Sequence, residues 1–279
     1  MNKKVLYCIG LAIAFCIIFI MPNISRANDD VLYSINMDIE LSKDGTAKVT
    51  EIWDINVTSG SELFKQYNNL ETSVISDFSV AENGKEFKSL SKWDTSASQA
   101  DKIDKCGINK TSNGVELCWG IGDYGRHEYT LKYTITNFVY EENNLQVSNF
   151  ILVPDLEDLA PKYVLIKVNG FYKFDEDNTK VSLKGFSGNY SINNGVIEVY
   201  SNGTLQSGNY VNTDFTFVDK KFSLSKSLVP TDTTPKSNSG AKKVFVTLCG
   251  IFGLFIIANV VEERKRKKKE IAIESEETK

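Results

Sequence analysis

The sequence predicts an all-β protein. Its ectodomain is β-sandwich-like, in two lobes, and a single C-terminal transmembrane helix carries it. Three observations predict this. Apolar residues recur at every second position in run after run between residues 28 and 222. Turn signals rich in Gly, Asn and Asp separate those runs. Two apolar segments, residues 5–21 and 244–261, bracket the whole.

Residues 1–27 read as a secretory signal peptide. Lys3 and Lys4 lead the apolar run, and Ser25 and Ala27 supply the small residues before a cleavage point. An uncleaved anchor is the competing reading.

The mature chain opens on a hairpin. Val31, Tyr33, Ile35, Met37, Ile39 and Leu41 fall on one face, and Asn36, Asp38 and Glu40 on the other. Lys43-Asp44-Gly45 turns the chain. Ala47, Val49, Trp53, Ile55 and Val57 then line one face of the next strand.

The same period continues through Val115/Leu117/Trp119/Ile121 and Tyr129/Leu131/Tyr133/Ile135. Later runs are Val164/Ile166/Val168, Val181/Leu183, Tyr190/Ile192, Ile197/Val199 and Phe215/Phe217. Only residues 62–69 and 156–159 suit short helices. Many short strands with close turns indicate the sandwich class.

The span is large for one sandwich, so the expected lobes are residues 28–150 and 151–222. The cut falls where residues 140–144 and the stretch from Pro154 to Pro161 interrupt the pattern. One large sandwich is the alternative.

Residues 223–242 lose their apolar period and fill with Ser, Thr, Pro and Lys, the composition of a stalk. Residues 243–262 form the expected spanning helix. Its 18-residue apolar core would cover roughly 27 Å, close to a hydrocarbon thickness of about 30 Å. The basic run from Arg264 to Lys269 opens a tail, residues 263–279, and marks it as cytoplasmic. The expected topology is single-pass type I in a cell membrane.

Residues 28–242 hold 21 basic and 30 acidic side chains. That balance disfavours nucleic acid as a partner and leaves cationic ligands, peptides and neutral sugars open. Of five cysteines, Cys8, Cys16 and Cys249 lie in apolar segments. Cys106 and Cys118 remain, flanking a Ser112-Asn113-Gly114 turn. They are a disulfide candidate that would clamp the two arms of a hairpin, worth about 3 kcal/mol. Two buried free thiols are the other reading.

Candidate chemistry is sparse. A single histidine, His127, excludes a His-pair zinc site and reads as a surface residue at a loop end. The acidic runs at Asp155/Glu157/Asp158 and Asp175-Glu176-Asp177 lack the spacing of a known calcium loop and read as solvated turns. Trp53 and Trp119 fit strand faces and read as core. Trp93 stands in the irregular polar stretch Ser91-Lys92-Trp93-Asp94-Thr95 and is the exposed-aromatic binding candidate. No catalytic, cofactor or metal constellation stands out.

The segments Tyr33-Ser34-Ile35-Asn36-Met37-Asp38-Ile39, Lys43-Asp44-Gly45 and Val49-Thr50-Glu51 occur in an order that continues with Leu117-Cys118-Trp119-Gly120-Ile121-Gly122 and Tyr129-Thr130-Leu131-Lys132-Tyr133. Over roughly residues 30–220 this resembles the bacterial membrane proteins that carry domain of unknown function 2207. The resemblance implies an extracytoplasmic β-rich region of the cell envelope and carries over no active-site residues.

The expected function is therefore a membrane-anchored binding or scaffold protein, not an enzyme, with no cofactor and with a protein or cell-wall partner outside the cell. The alternatives are an envelope enzyme acting on glycan or peptide through carboxylates, and an accessory subunit of a membrane complex.

Overall fold

The computed structural model describes residues 30–224. The expected signal peptide, most of the stalk, the spanning helix and the tail lie outside the described residues. No described helix is long and apolar enough to cross a membrane.

The described body is all-β. In chain order the strands are β1 (Val31–Leu41), β2 (Ala47–Val57), β3 (Glu62–Asn68), β4 (Val74–Glu82), β5 (Lys85–Glu86), β6 (Lys88–Leu90), β7 (Lys105–Lys110) and β8 (Gly114–Gly120). There follow β9 (Gly125–Thr136), β10 (Tyr140–Glu142), β11 (Leu145–Val153), β12 (Val164–Gly170), β13 (Thr179–Lys184), β14 (Gly188–Asn193), β15 (Val196–Ser201) and β16 (Val211–Phe217). One short helix, α1 (Gln99–Lys102), and a 3-10 turn at Glu157–Leu159 complete them.

One eight-stranded sheet runs β14-β15-β12-β1-β2-β9-β4-β5. Two four-stranded sheets, β3-β8-β7-β6 and β10-β11-β16-β13, send their inward side chains into the same hydrophobic core as its inner face. Ile35, Trp53, Tyr129 and Val164 sit side by side on that face by register.

The pairing corrects the expected division at residue 150. β12 lies parallel to β1, with Ile35 opposite Val164, so the central sheet is built from both halves of the chain. Residues 30–224 fall within one compact unit. Of the two stretches read as interruptions, residues 140–144 are a hairpin: β10 pairs with β11, and Asn143 and Asn144 both take positive φ (50° and 62°) at its turn. Asn-Asn carries the same conformational permission as Asn-Gly, and it marks a turn where a boundary is expected.

Two further expectations shift. The first run of alternation changes face, because a bulge between Leu32 and Ser34 puts Leu32 in the core and leaves Val31 and Tyr33 partly exposed. Glu62–Asn68, within the stretch expected to be helical, form strand β3. Leu63, Lys65 and Tyr67 alternate inward, and a lysine at an inward position hides the period.

Candidate functional site

Two places in the body gather polar chemistry: a network sealed inside it and an open trough on its outside.

The sealed network starts on β2. Alternation from Val49 to Trp53 puts Glu51 on the inner face, and Glu51 and Lys65 are both wholly buried. The Lys65 ammonium reaches Oε1 and Oε2 of Glu51 at 2.8 and 2.7 Å. The Trp53 indole N–H donates to Oε1 at 2.7 Å, and the Tyr133 hydroxyl donates to Oε2 at 2.8 Å. The Tyr67 and Tyr133 hydroxyls lie 2.7 Å apart. Thus β2, β3 and β9 meet at one ion pair between the eight-stranded sheet and a four-stranded one.

Burial pulls the Lys65 pKa down, against the opposing pull of Glu51. Burial, with Glu51 adding to it, pushes both tyrosines well above their ordinary value, so their hydroxyls stay protonated and able to donate. Glu51 stands in one of the segments that carry the family resemblance, but it is not among the candidate site residues read from the sequence. The available signal is an acidic residue at an inward position of an otherwise apolar period.

The trough lies on the outer face of the eight-stranded sheet and has a volume of about 750 Å³. Register places Lys167, Asp38, Thr50 and Lys132 in one row across β12, β1, β2 and β9. Asn169, Glu40, Lys48 and Thr134 form the next row. Neighbouring side chains in a row are about 4.8 Å apart, the strand spacing.

Asp77 closes the β4 side. A bulge between Ser76 and Ser79, with Asp77 at φ 55°, turns Phe78 inward and leaves Asp77 outside. Asn169 Nδ2 donates to Asp38 at 2.8 Å, and Lys167 pairs with Glu198 at 3.1 Å. Lys48 and Lys132 make no ion pair among the described residues.

The residues singled out from sequence lie elsewhere. Trp93 is not an exposed aromatic; it is 2 % exposed. The loop before α1 folds back on itself: Ser98 caps the helix, Asp94 accepts the Ser96 N–H at 2.9 Å, and Lys102 donates to the Thr95 carbonyl at 2.8 Å. The Trp93 indole N–H then donates to Glu62, which also pairs with Lys102 at 3.3 Å. A polar, irregular stretch here is a roof that carries its own hydrogen bonds.

Cys106 and Cys118 are buried free thiols, not a disulfide. Cys106 stands opposite Trp119, and Gly107 opposite Cys118, so the two side chains point to opposite faces of the sheet. Burial raises both thiols, Cys118 to about 12. Native protein is therefore expected to resist iodoacetamide at neutral pH, with both thiols reacting after denaturation. Ready alkylation of folded protein would contradict this placement.

His127 is not a surface residue. It faces inward on β9, 7 % exposed, stacked on Tyr129, with Nδ1 2.6 Å from Glu82. The acidic runs accept backbone N–H groups, from their own turns and, for Asp155, from a distant loop as well. Asp155 accepts backbone N–H groups of Glu157 and Gly208, and Asp175 those of Asp177 and Asn178. Among the described residues no group of three or more His, Cys, Asp or Glu could hold a metal ion.

No family model and no curated protein matches the chain. Among solved structures, native leukotriene A4 hydrolase from Saccharomyces cerevisiae aligns at 7% identity and TM-score 0.44, over 69% of this chain and 30% of that one. A candidate nutrient binding protein from Legionella pneumophila aligns at 10% identity and TM-score 0.40, over 68% and 67%. An M1 zinc metallopeptidase from Deinococcus radiodurans aligns at 12% identity and TM-score 0.35, over 66% and 42%. The chain thus spans about 30% of the hydrolase's length. Likeness at this level carries no activity from those proteins to this one.

Proposed function

We propose that this is a binding protein of the bacterial cell envelope, held at the membrane by residues 243–262 with its β-body outside the cell, and that it binds through the trough. The supporting observation is the trough itself, open among the described residues, where the Lys48 and Lys132 ammonium groups, with no ion pair among those residues, stand among carboxylates, amides and hydroxyls. Its chemistry suits a polar protein or cell-wall component that presents amino and carboxylate groups at close spacing. The last described residues fit this arrangement. The Ser223 N–H donates to the Lys43 carbonyl at 2.7 Å, which fixes the end of the described chain beside the β1–β2 turn.

The test places a photo-crosslinking side chain at position 50 in the trough of the full chain in cells, and another at position 182 on β13. Envelope material is expected to crosslink at 50 and not at 182. Lys48→Glu with Lys132→Glu should cut the yield about tenfold or more, the loss of at least 1.4 kcal/mol of binding. As surface changes they should leave folding stability within about 0.5 kcal/mol. Equal yields at both positions, or no effect of charge reversal, would overturn the proposal.

A further inference from the structure

We propose that Lys65 and Glu51 are a self-modifying pair, joined in the mature protein by an amide between Lys65 Nζ and Glu51 Cδ. The link ties β2 of the eight-stranded sheet to β3 of its neighbour.

Four observations carry it. Nucleophile and electrophile are in contact: an amine 2.7 and 2.8 Å from both carboxylate oxygens lies about 3 Å from their carbon, a near-attack distance reached in the plane of the carboxylate. Both groups are wholly buried, so bulk water does not compete for the carbon. The Trp53 indole N–H is aimed at Oε1, where negative charge develops during attack. The Tyr133 hydroxyl, backed by Tyr67, sits on Oε2, the oxygen that must leave.

The step balances without any outside reagent. Lys65 passes one proton to the carboxylate, giving a neutral amine and a carboxylic acid. Desolvation favours this transfer, since a buried ammonium sheds its proton more readily than an exposed one. The carboxyl group turns about its last torsion, a soft one, to present its face. The amine lone pair forms the N–C bond, and the π electrons move to Oε1. A second proton leaves nitrogen and reaches Oε2 through the Tyr133 hydroxyl. The pair on Oε1 re-forms the C=O bond as the C–Oε2 bond breaks, and Oε2 departs as water carrying both protons. Two buried charges become one neutral amide, which removes the desolvation cost of the ion pair. The amide oxygen keeps its indole donor.

Trypsin digestion of the denatured full-length chain, read by mass spectrometry, tests the link. Lys48, Lys65 and Lys85 are successive cleavage points, and Glu51 lies between the first two. The linked protein is expected to yield one peptide, residues 49–85, uncut at Lys65 and one water lighter than its sequence mass. Fragmentation should place the loss on a bond between Glu51 and Lys65. Lys65→Arg, which keeps the charge and the cleavage point, should give separate peptides of ordinary mass. Separate peptides 49–65 and 66–85 of ordinary mass from the unaltered protein would overturn the proposal. So would an uncut 49–85 peptide that has lost no water.

Discussion

Lys65→Met is expected to destabilise the body by about 3–5 kcal/mol relative to the chain in which Lys65 and Glu51 are still an unlinked ion pair, the usual cost of removing one partner of a buried pair. The substitution leaves the Glu51 carboxylate wholly buried, with the Trp53 and Tyr133 donors but no opposite charge. Methionine has nearly the volume of the lysine stem, so the loss reflects charge and not a cavity. Urea unfolding followed by fluorescence measures it, with the m-value checked for constancy. Adding Glu51→Leu should restore most of the lost stability, because a matched apolar pair avoids the desolvation that both ions carry. A single-variant loss below about 1 kcal/mol, with no recovery in the double variant, would show that the network does not hold the sheets together.

Trp93→Ala should cost about 3–5 kcal/mol, in the range of a large buried aromatic truncated to alanine. The side chain roofs the outer face of the β3-β8-β7-β6 sheet. A Cβ on Gly107 would lie 3.5 Å from the indole ring, so this glycine keeps strand β7 close beneath it. Removing the indole also strips Glu62 of a donor and opens the Glu62–Lys102 pair, whose side chains are 20 % and 4 % exposed. Thermal or urea unfolding of the variant gives the number. A change within about 0.5 kcal/mol is what a solvent-exposed ligand platform would show, and it would rule out a covered Trp93. Trp93→Phe, which keeps much of the area and loses the N–H, should fall between the two.

Much of the fold is legible in the order of the residues. β1 and β2 have the bounds that strict alternation around Lys43-Asp44-Gly45 suggests, and Asn194-Gly195 turns β14 into β15 with φ of 54° and 89°. Such features are local: side-chain period and turn chemistry act over a few residues. β3 is illegible because Lys65 occupies an inward position, and only a partner from β2 makes that tolerable. The cysteine pair misleads because a hairpin turn gives proximity, whereas a one-residue register decides which face each thiol takes. The trough cannot be read from sequence at all, since its rows join β12 to β1 across more than a hundred residues of chain.

The amino-acid sequence by itself determined that the described body is all-β, where its first hairpin lies, and that Trp53 and Trp119 are core. Each follows from short-range pattern and from the free energy of hiding apolar surface. Tertiary structure alone decided that the two halves share one central sheet, that Glu51 and Lys65 meet, that Trp93 is covered and that the thiols stay apart. Those outcomes depend on which strands become neighbours. Pairing between distant strands is set by the packing of the whole core, a sum that no short window of sequence contains.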